Sequence, residues 1–149
     1  MLRCASETFG TVEYDSSAVI AFPRGLPGFE SERIFVPIER DCSKPLLFLQ
    51  SVITPPLCFI AIPVESVDPA YQLRISDDDL QVIGVEPGEA ASLRCLALVC
   101  ASEDRATANL LGPLVINSQN RQAVQAVRDD ARYSVQHSLL PETEESGCS

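Results

Sequence analysis

Leu46-Leu47-Phe48-Leu49-Gln50-Ser51-Val52-Ile53-Thr54-Pro55-Pro56-Leu57-Cys58-Phe59-Ile60-Ala61-Ile62 contains two apolar runs separated by a pair of prolines. Each run is five to eight residues long and rich in β-favouring side chains, which suits strands better than helices. The prolines fall between the runs, where a missing N–H breaks no ladder.

The same rhythm extends in both directions. Runs at 11–14, 18–22, 33–38, 46–53, 57–62, 93–101, 114–117, 122–127 and 132–136 are the expected strands. Their spacing between turn residues is that of an antiparallel all-β domain. The run at 93–101 is apolar throughout except for Arg94, and reads as a central strand covered on both faces. Ser76-Asp77-Asp78-Asp79-Leu80 is the one helix start, with Ser76 as N-cap and three aspartates in the first turn, so a short helix is expected near 76–83. Glu86-Pro87-Gly88-Glu89 is an expected turn.

The expected architecture is mainly β: a single compact, antiparallel, β-barrel-like domain over residues 1–140, followed by an acidic tail at 141–149. That tail has three glutamates and no apolar residue beyond Cys148, so it is expected to fray. A chain of 149 residues buries roughly 68–70% of its unfolded surface, enough for one core.

The net charge is −10, with 21 acidic side chains against 11 basic ones, and Lys44 is the only lysine. Such a surface repels phosphate, which disfavours direct nucleic-acid binding and attachment to anionic lipid. A basic protein partner is complementary, although solubility alone also accounts for the charge. The first residues lack the apolar segment of a signal peptide and no stretch is long enough to span a membrane, so a cytoplasmic protein is expected.

Catalytic chemistry finds few pieces. His137 is the only histidine, so a site with two histidine ligands is excluded, and it reads as a surface or strand-edge residue. The six cysteines lack metal-knuckle spacing; Cys58, Cys95 and Cys100 read as small apolar residues of buried strands, and Cys148 as the exposed thiol. Asp77 to Asp79, Glu103-Asp104 and Asp129-Asp130 lack the spacing of a calcium loop. No cofactor, metal or catalytic residue is therefore assigned. Two other readings are kept: a barrel enclosing a small apolar ligand, and a thiol-dependent enzyme using Cys58 or Cys100 with His137.

Binding surfaces are easier to nominate. Arg24-Gly25-Leu26-Pro27-Gly28-Phe29-Glu30 has the chemistry of a tight loop with positive φ at glycine, and Phe29 is either a contact residue or a plug of the core. Amides beside apolar runs, as at Gln50, Asn109 and Asn117, either shape turns or border a surface.

The order of these motifs resembles the FliW family. It runs through Phe22-Pro23-Arg24-Gly25-Leu26-Pro27-Gly28-Phe29-Glu30, then Pro45-Leu46-Leu47-Phe48-Leu49-Gln50-Ser51, Phe59 to Pro63, and Asp68-Pro69-Ala70-Tyr71. It continues through Thr107-Ala108-Asn109-Leu110-Leu111-Gly112-Pro113-Leu114-Val115-Ile116-Asn117 to Gln122 and Tyr133. The chain departs from the family pattern at Ile62-Pro63-Val64-Glu65, at Gly112 and in the acidic tail. The resemblance implies a flagellar assembly factor of the bacterial cytoplasm, without catalytic activity, that binds flagellin in the manner of a chaperone. It also implies binding to CsrA, the RNA-binding translational repressor, which is released or captured as flagellin accumulates or is secreted. Gly25, Leu26, Pro27, Gly28, Phe29, Glu30, Gln50, Asp77, Asp78, Asp79, Asn109 and Asn117 are the expected partner-binding residues.

Overall fold

The computed structural model describes residues 2–86, 92–101, 105–127, 133, 134 and 136–139. The expected tail with Cys148, the turn after Glu86 and the acidic pairs at 103–104 and 129–130 lie outside these residues.

Among the described residues, eleven strands form in the order β1 (Leu2–Ser6), β2 (Gly10–Tyr14), β3 (Ile20–Ala21), β4 (Ile34–Glu39), β5 (Leu47–Ser51), β6 (Cys58–Pro63), β7 (Leu93–Ala101), β8 (Ala106–Ala108), β9 (Leu114–Asn117), β10 (Gln122–Gln125) and β11 (His137–Ser138). Among the described residues between β6 and β7 are two short helices, α1 (Val64–Val67) and α2 (Asp77–Val82). The sheet runs β7-β6-β5-β4-β3-β10-β9, and β9 returns to pair with β7, so seven strands close into a barrel. Every pairing is antiparallel except the single parallel contact of Gln122 in β10 with Ala21 in β3.

β7 makes the closure possible through its length. Its residues 96–99 pair with β6 along one edge, while the other edge gives 93–96 to β9 and 99–101 to β8. Alternation along the strand then feeds different cores. Leu96 and Leu98 join Phe22, Phe35, Leu47, Leu49, Phe59 and Leu114 inside the barrel. Ala97 and Val99 face an outer cluster with Ile62, Val64, Leu110 and Tyr133. A third cluster packs Leu80 and Val82 of α2 against Val115 and Val124 of β9 and β10. The barrel interior is thus filled with side chains.

Outside the barrel, the β1–β2 hairpin covers β5. Ser6 Oγ donates to Gln50 Oε1 at 2.7 Å, and Phe9 meets Phe48 edge-on at 5.2 Å. Gln50 is fully buried, and its Nε2 donates to the carbonyls of Ser51, Thr54 and Pro55, at 3.1, 3.4 and 3.1 Å. One amide therefore joins the hairpin to the β5–β6 turn. Beside it, Glu32 is buried and accepts from Ser51 Oγ and Thr54 Oγ1.

Several expectations need correction. The expected strand at 18–22 shortens to β3, and the one at 132–136 is absent at the described positions 133, 134 and 136. Three strands that sequence reading missed are β1, β8 and the two-residue β11. Cys4 and Ser6 in β1 are small, and Ser6 is buried through the Gln50 bond instead of an apolar contact. The Ala-Thr-Ala of β8 has little β preference and is held by pairing with β7 and β11. Cys58 and Cys95 are half-buried, and Cys100 is exposed because β6 pairing ends at Val99; Cys42 is exposed as well.

Replacing Gln50 with Ala should cost about 2–4 kcal/mol, since it leaves three carbonyl acceptors and the Ser6 hydroxyl donor without their partner. Denaturant unfolding should show a lower midpoint with an unchanged slope.

Candidate functional site

The loop between β3 and β4 is shaped by two glycines. In Leu26-Pro27-Gly28-Phe29, the Phe29 N–H donates to Leu26 O at 2.7 Å, with proline first and Gly28 second at φ +84°, as a type II turn requires. Gly25 has φ +67°, and a Cβ there would lie 2.5 Å from the Glu30 carbonyl oxygen. Only glycine lets the loop fold back this tightly.

The turn is seated on the barrel by its own apolar residues. Leu26 is buried in the interior cluster, while Phe29, 42% exposed, packs edge-on against Phe59 at 5.4 Å. Phe29 is thus both plug and surface. Pro27, Gly28 and Glu30 are exposed, and Glu30 Oε2 accepts from the Gly28 N–H at 3.1 Å.

α2 comes to the same place from about fifty residues away in sequence. Ser76 Oγ accepts from the Asp79 N–H at 3.1 Å as its N-cap, and Asp79 Oδ1 meets Arg24 Nη1 at 3.4 Å. With the Arg24 side chain 58% exposed, this pair stabilises by at most about 1 kcal/mol, so it aligns the two segments more than it binds them. Arg24, Gly25, Pro27, Glu30, Asp79 and Gln125 line an open cleft of about 240 Å³. Asp77 and Asp78 stand exposed beside it on α2.

The other expected residues do different work. Asn117 is buried and donates from Nδ2 to Ile83 O at 2.9 Å, and Asn120 donates to the same oxygen at 3.0 Å. These amides fasten the end of α2 to the β9–β10 turn. Asn109 Oδ1 accepts from the N–H groups of Leu111 and Gly112 at 3.0 and 2.9 Å, and Gly112 O accepts from Gln125 Nε2 at 2.8 Å. Asn109 therefore reaches the cleft only through Gln125. Gln50, fully buried under β1, is not part of this surface. Arg24 and Gln125 were missed by sequence reading; Arg24 adjoins the loop motif, whereas Gln125 carries no local signal.

The thiol reading meets a geometric obstacle. Cys100 pairs with Thr107 and Thr107 with Ser138, whereas His137 belongs to the next row and so projects from the opposite face. Cys58 lies three strands from β11, roughly 14 Å at the usual strand spacing, and burial pushes its thiol up. His137 itself is exposed on an edge strand.

The model of the FliW protein family matches residues 3–139. The chain belongs to the FliW family. It is 34% identical over 140 residues to a flagellar assembly factor FliW of Heliobacterium modesticaldum, covering 94% of this chain and 92% of that one. A FliW of Geobacillus sp. is 32% identical over 141 residues, 95% of this chain and 97% of its own length. A crystal structure of the flagellar assembly factor FliW superposes with a TM-score of 0.84 at 30% identity, over 95% of this chain and 99% of the other. The closed barrel is accordingly the FliW fold. Among the described residues no helix is long and apolar enough to cross a membrane.

Gly25→Ala should destabilise by more than about 2 kcal/mol, because positive φ and a backbone clash add. Gly28→Ala, with open space around the added Cβ, should cost only about 1 kcal/mol. Thermal unfolding of the two variants side by side tests this order.

Proposed function

We propose that this FliW-family chain is a non-catalytic regulator of flagellum assembly in the bacterial cytoplasm, binding flagellin and, in exchange, the translational repressor CsrA. The observation that carries the reading is the family match, which runs through residues 3–139 and so takes in every part of the cleft.

The physical character of the cleft supports a protein partner. Pro27, Gly28 and Phe29 offer a rigid apolar projection, since a type II turn fixed by proline and glycine loses little entropy on binding. Asp77, Asp78 and Glu30 around it are exposed carboxylates. A rim of this sign on a protein of net charge −10 steers basic partners and repels nucleic acid. The filled interior weighs against a small apolar ligand, and the placement of Cys58, Cys100 and His137 weighs against a thiol enzyme.

Calorimetric titration with CsrA and, separately, flagellin from the same genome tests the proposal. Saturable binding that weakens with salt is expected for CsrA. The double variant Asp77→Lys with Asp78→Lys should lower that affinity about three- to tenfold at low salt and flatten the salt dependence. Absence of complex with either partner would contradict the reading.

A further inference from the structure

The last turn of β10 leaves backbone groups unpaired inside the cleft. Ala126 N–H donates to Pro113 O at 2.9 Å, so in the β9–β10 ladder the N–H of Val124 turns toward β9 and that of Gln125 turns away. On that far side β10 meets β3 at a single parallel pair, Gln122 with Ala21. The pairing stops there for a chemical reason. The next donor from β3 would be residue 23, a proline without an N–H, and the Gly25 N–H on Phe22 O turns the chain aside. The backbone N–H and C=O of Gln125 consequently have no partner among the described residues. The Gln125 side chain is engaged elsewhere, with Nε2 on Gly112 O.

Val124 and Gln125 line the cleft together with Gly25, Pro27 and Glu30 of the loop and Asp79 of α2. Asp79 Oδ1 holds Arg24, and Glu30 Oε2 accepts from the Gly28 N–H, so each carboxylate keeps a second oxygen without a bond among the described residues. With Asp77 and Asp78 exposed beside them, four carboxylates surround one guanidinium. The cleft therefore joins a free strand edge to a negative rim.

We propose that β10 accepts an extended, basic segment of a protein partner as an added antiparallel strand. Gln125 exchanges both of its free backbone bonds with one residue of the segment, and a lysine or arginine nearby on the segment meets Glu30 and Asp79. This rests on the protein-binding reading above and adds how the partner enters the cleft. At about 240 Å³ the cleft admits a short length of extended chain, whereas a helix is roughly 10 Å across and too wide. A second copy of this chain would bring a net charge of −10 to an acidic rim, which opposes it.

The probe is the peptide acetyl-Thr-Val-Arg-Val-Thr-amide, titrated into the isotope-labelled full chain and followed by amide chemical shifts. Saturable binding with a downfield shift of the Gln125 amide proton is expected, and the same peptide with Glu in place of Arg should bind at least about tenfold more weakly at low salt. Gln125→Pro removes the edge donor and should weaken binding about tenfold, whereas Gln125→Val keeps it and should bind within about twofold of the unaltered chain. The two variants should unfold at similar temperatures, because both lose the bond to Gly112 O and neither loses a paired backbone N–H. No saturable binding, equal affinity of the Arg and Glu peptides, or equal binding by the two variants would overturn the proposal. Competition by CsrA or flagellin for the bound peptide tests the partner reading separately: a peptide that binds at Gln125 and is displaced by neither supports the strand slot and contradicts only the choice of partner.

Discussion

A single strand with two edges must serve three neighbours, and β7 does so by dividing one edge lengthwise. Its nine residues are enough for four pairs with β9 and three with β8, while β6 occupies the opposite edge. Closure removes the free edges that an open sheet would expose, and it confines the interior to a fixed set of side chains. The outer layers depend on the same strand: Ala97 and Val99 on its other face give the segment from α1 to Tyr71 something to pack against. Tyr71 and Tyr133 then meet as tilted rings with centroids 4.5 Å apart, and the Tyr71 hydroxyl donates to Leu110 O.

The site follows from how two connections are tethered to this barrel. Leu26 drops into the interior from the β3–β4 loop, so the exposed turn at 27–29 has a buried anchor one residue away. α2 is too short to be stable by itself. It is held at its start by the Ser76 cap and at its end by Asn117 and Asn120 on Ile83 O, with Leu80 and Val82 packed beneath. A rigid loop and a clamped helix thereby meet across Arg24 and Asp79, and their carboxylates face solvent together.

What was legible in the sequence was periodic or chemically specific. Apolar runs marked β4, β5, β6, β7, β9 and β10, and Ser76 with three aspartates marked α2, because burial and capping are local demands on residue type. The two glycines marked the loop because positive φ is a backbone demand that few other residues meet. What was not legible depends on partners distant in sequence. β1 is seated by Ser6 on Gln50, β8 is an Ala-Thr-Ala segment held by its neighbours, and Cys100 is exposed only because the β6 ladder stops at Val99. Gln50, Asn109 and Asn117 are polar residues whose role turned on geometry: all three direct their amides or carbonyl oxygens to backbone groups.

The central claim is that the turn at 26–30 and the start of α2 form one partner-binding face on a rigid barrel. Amide hydrogen exchange of the protein alone and saturated with CsrA or with flagellin addresses this most directly. Added protection at residues 24–30 and 77–83 with at least one of the two, against an unchanged β5–β6–β7 ladder, is the result the account predicts. Protection confined to the β1–β2 hairpin or to β8 and β11, with both segments of the cleft unaltered, would contradict it.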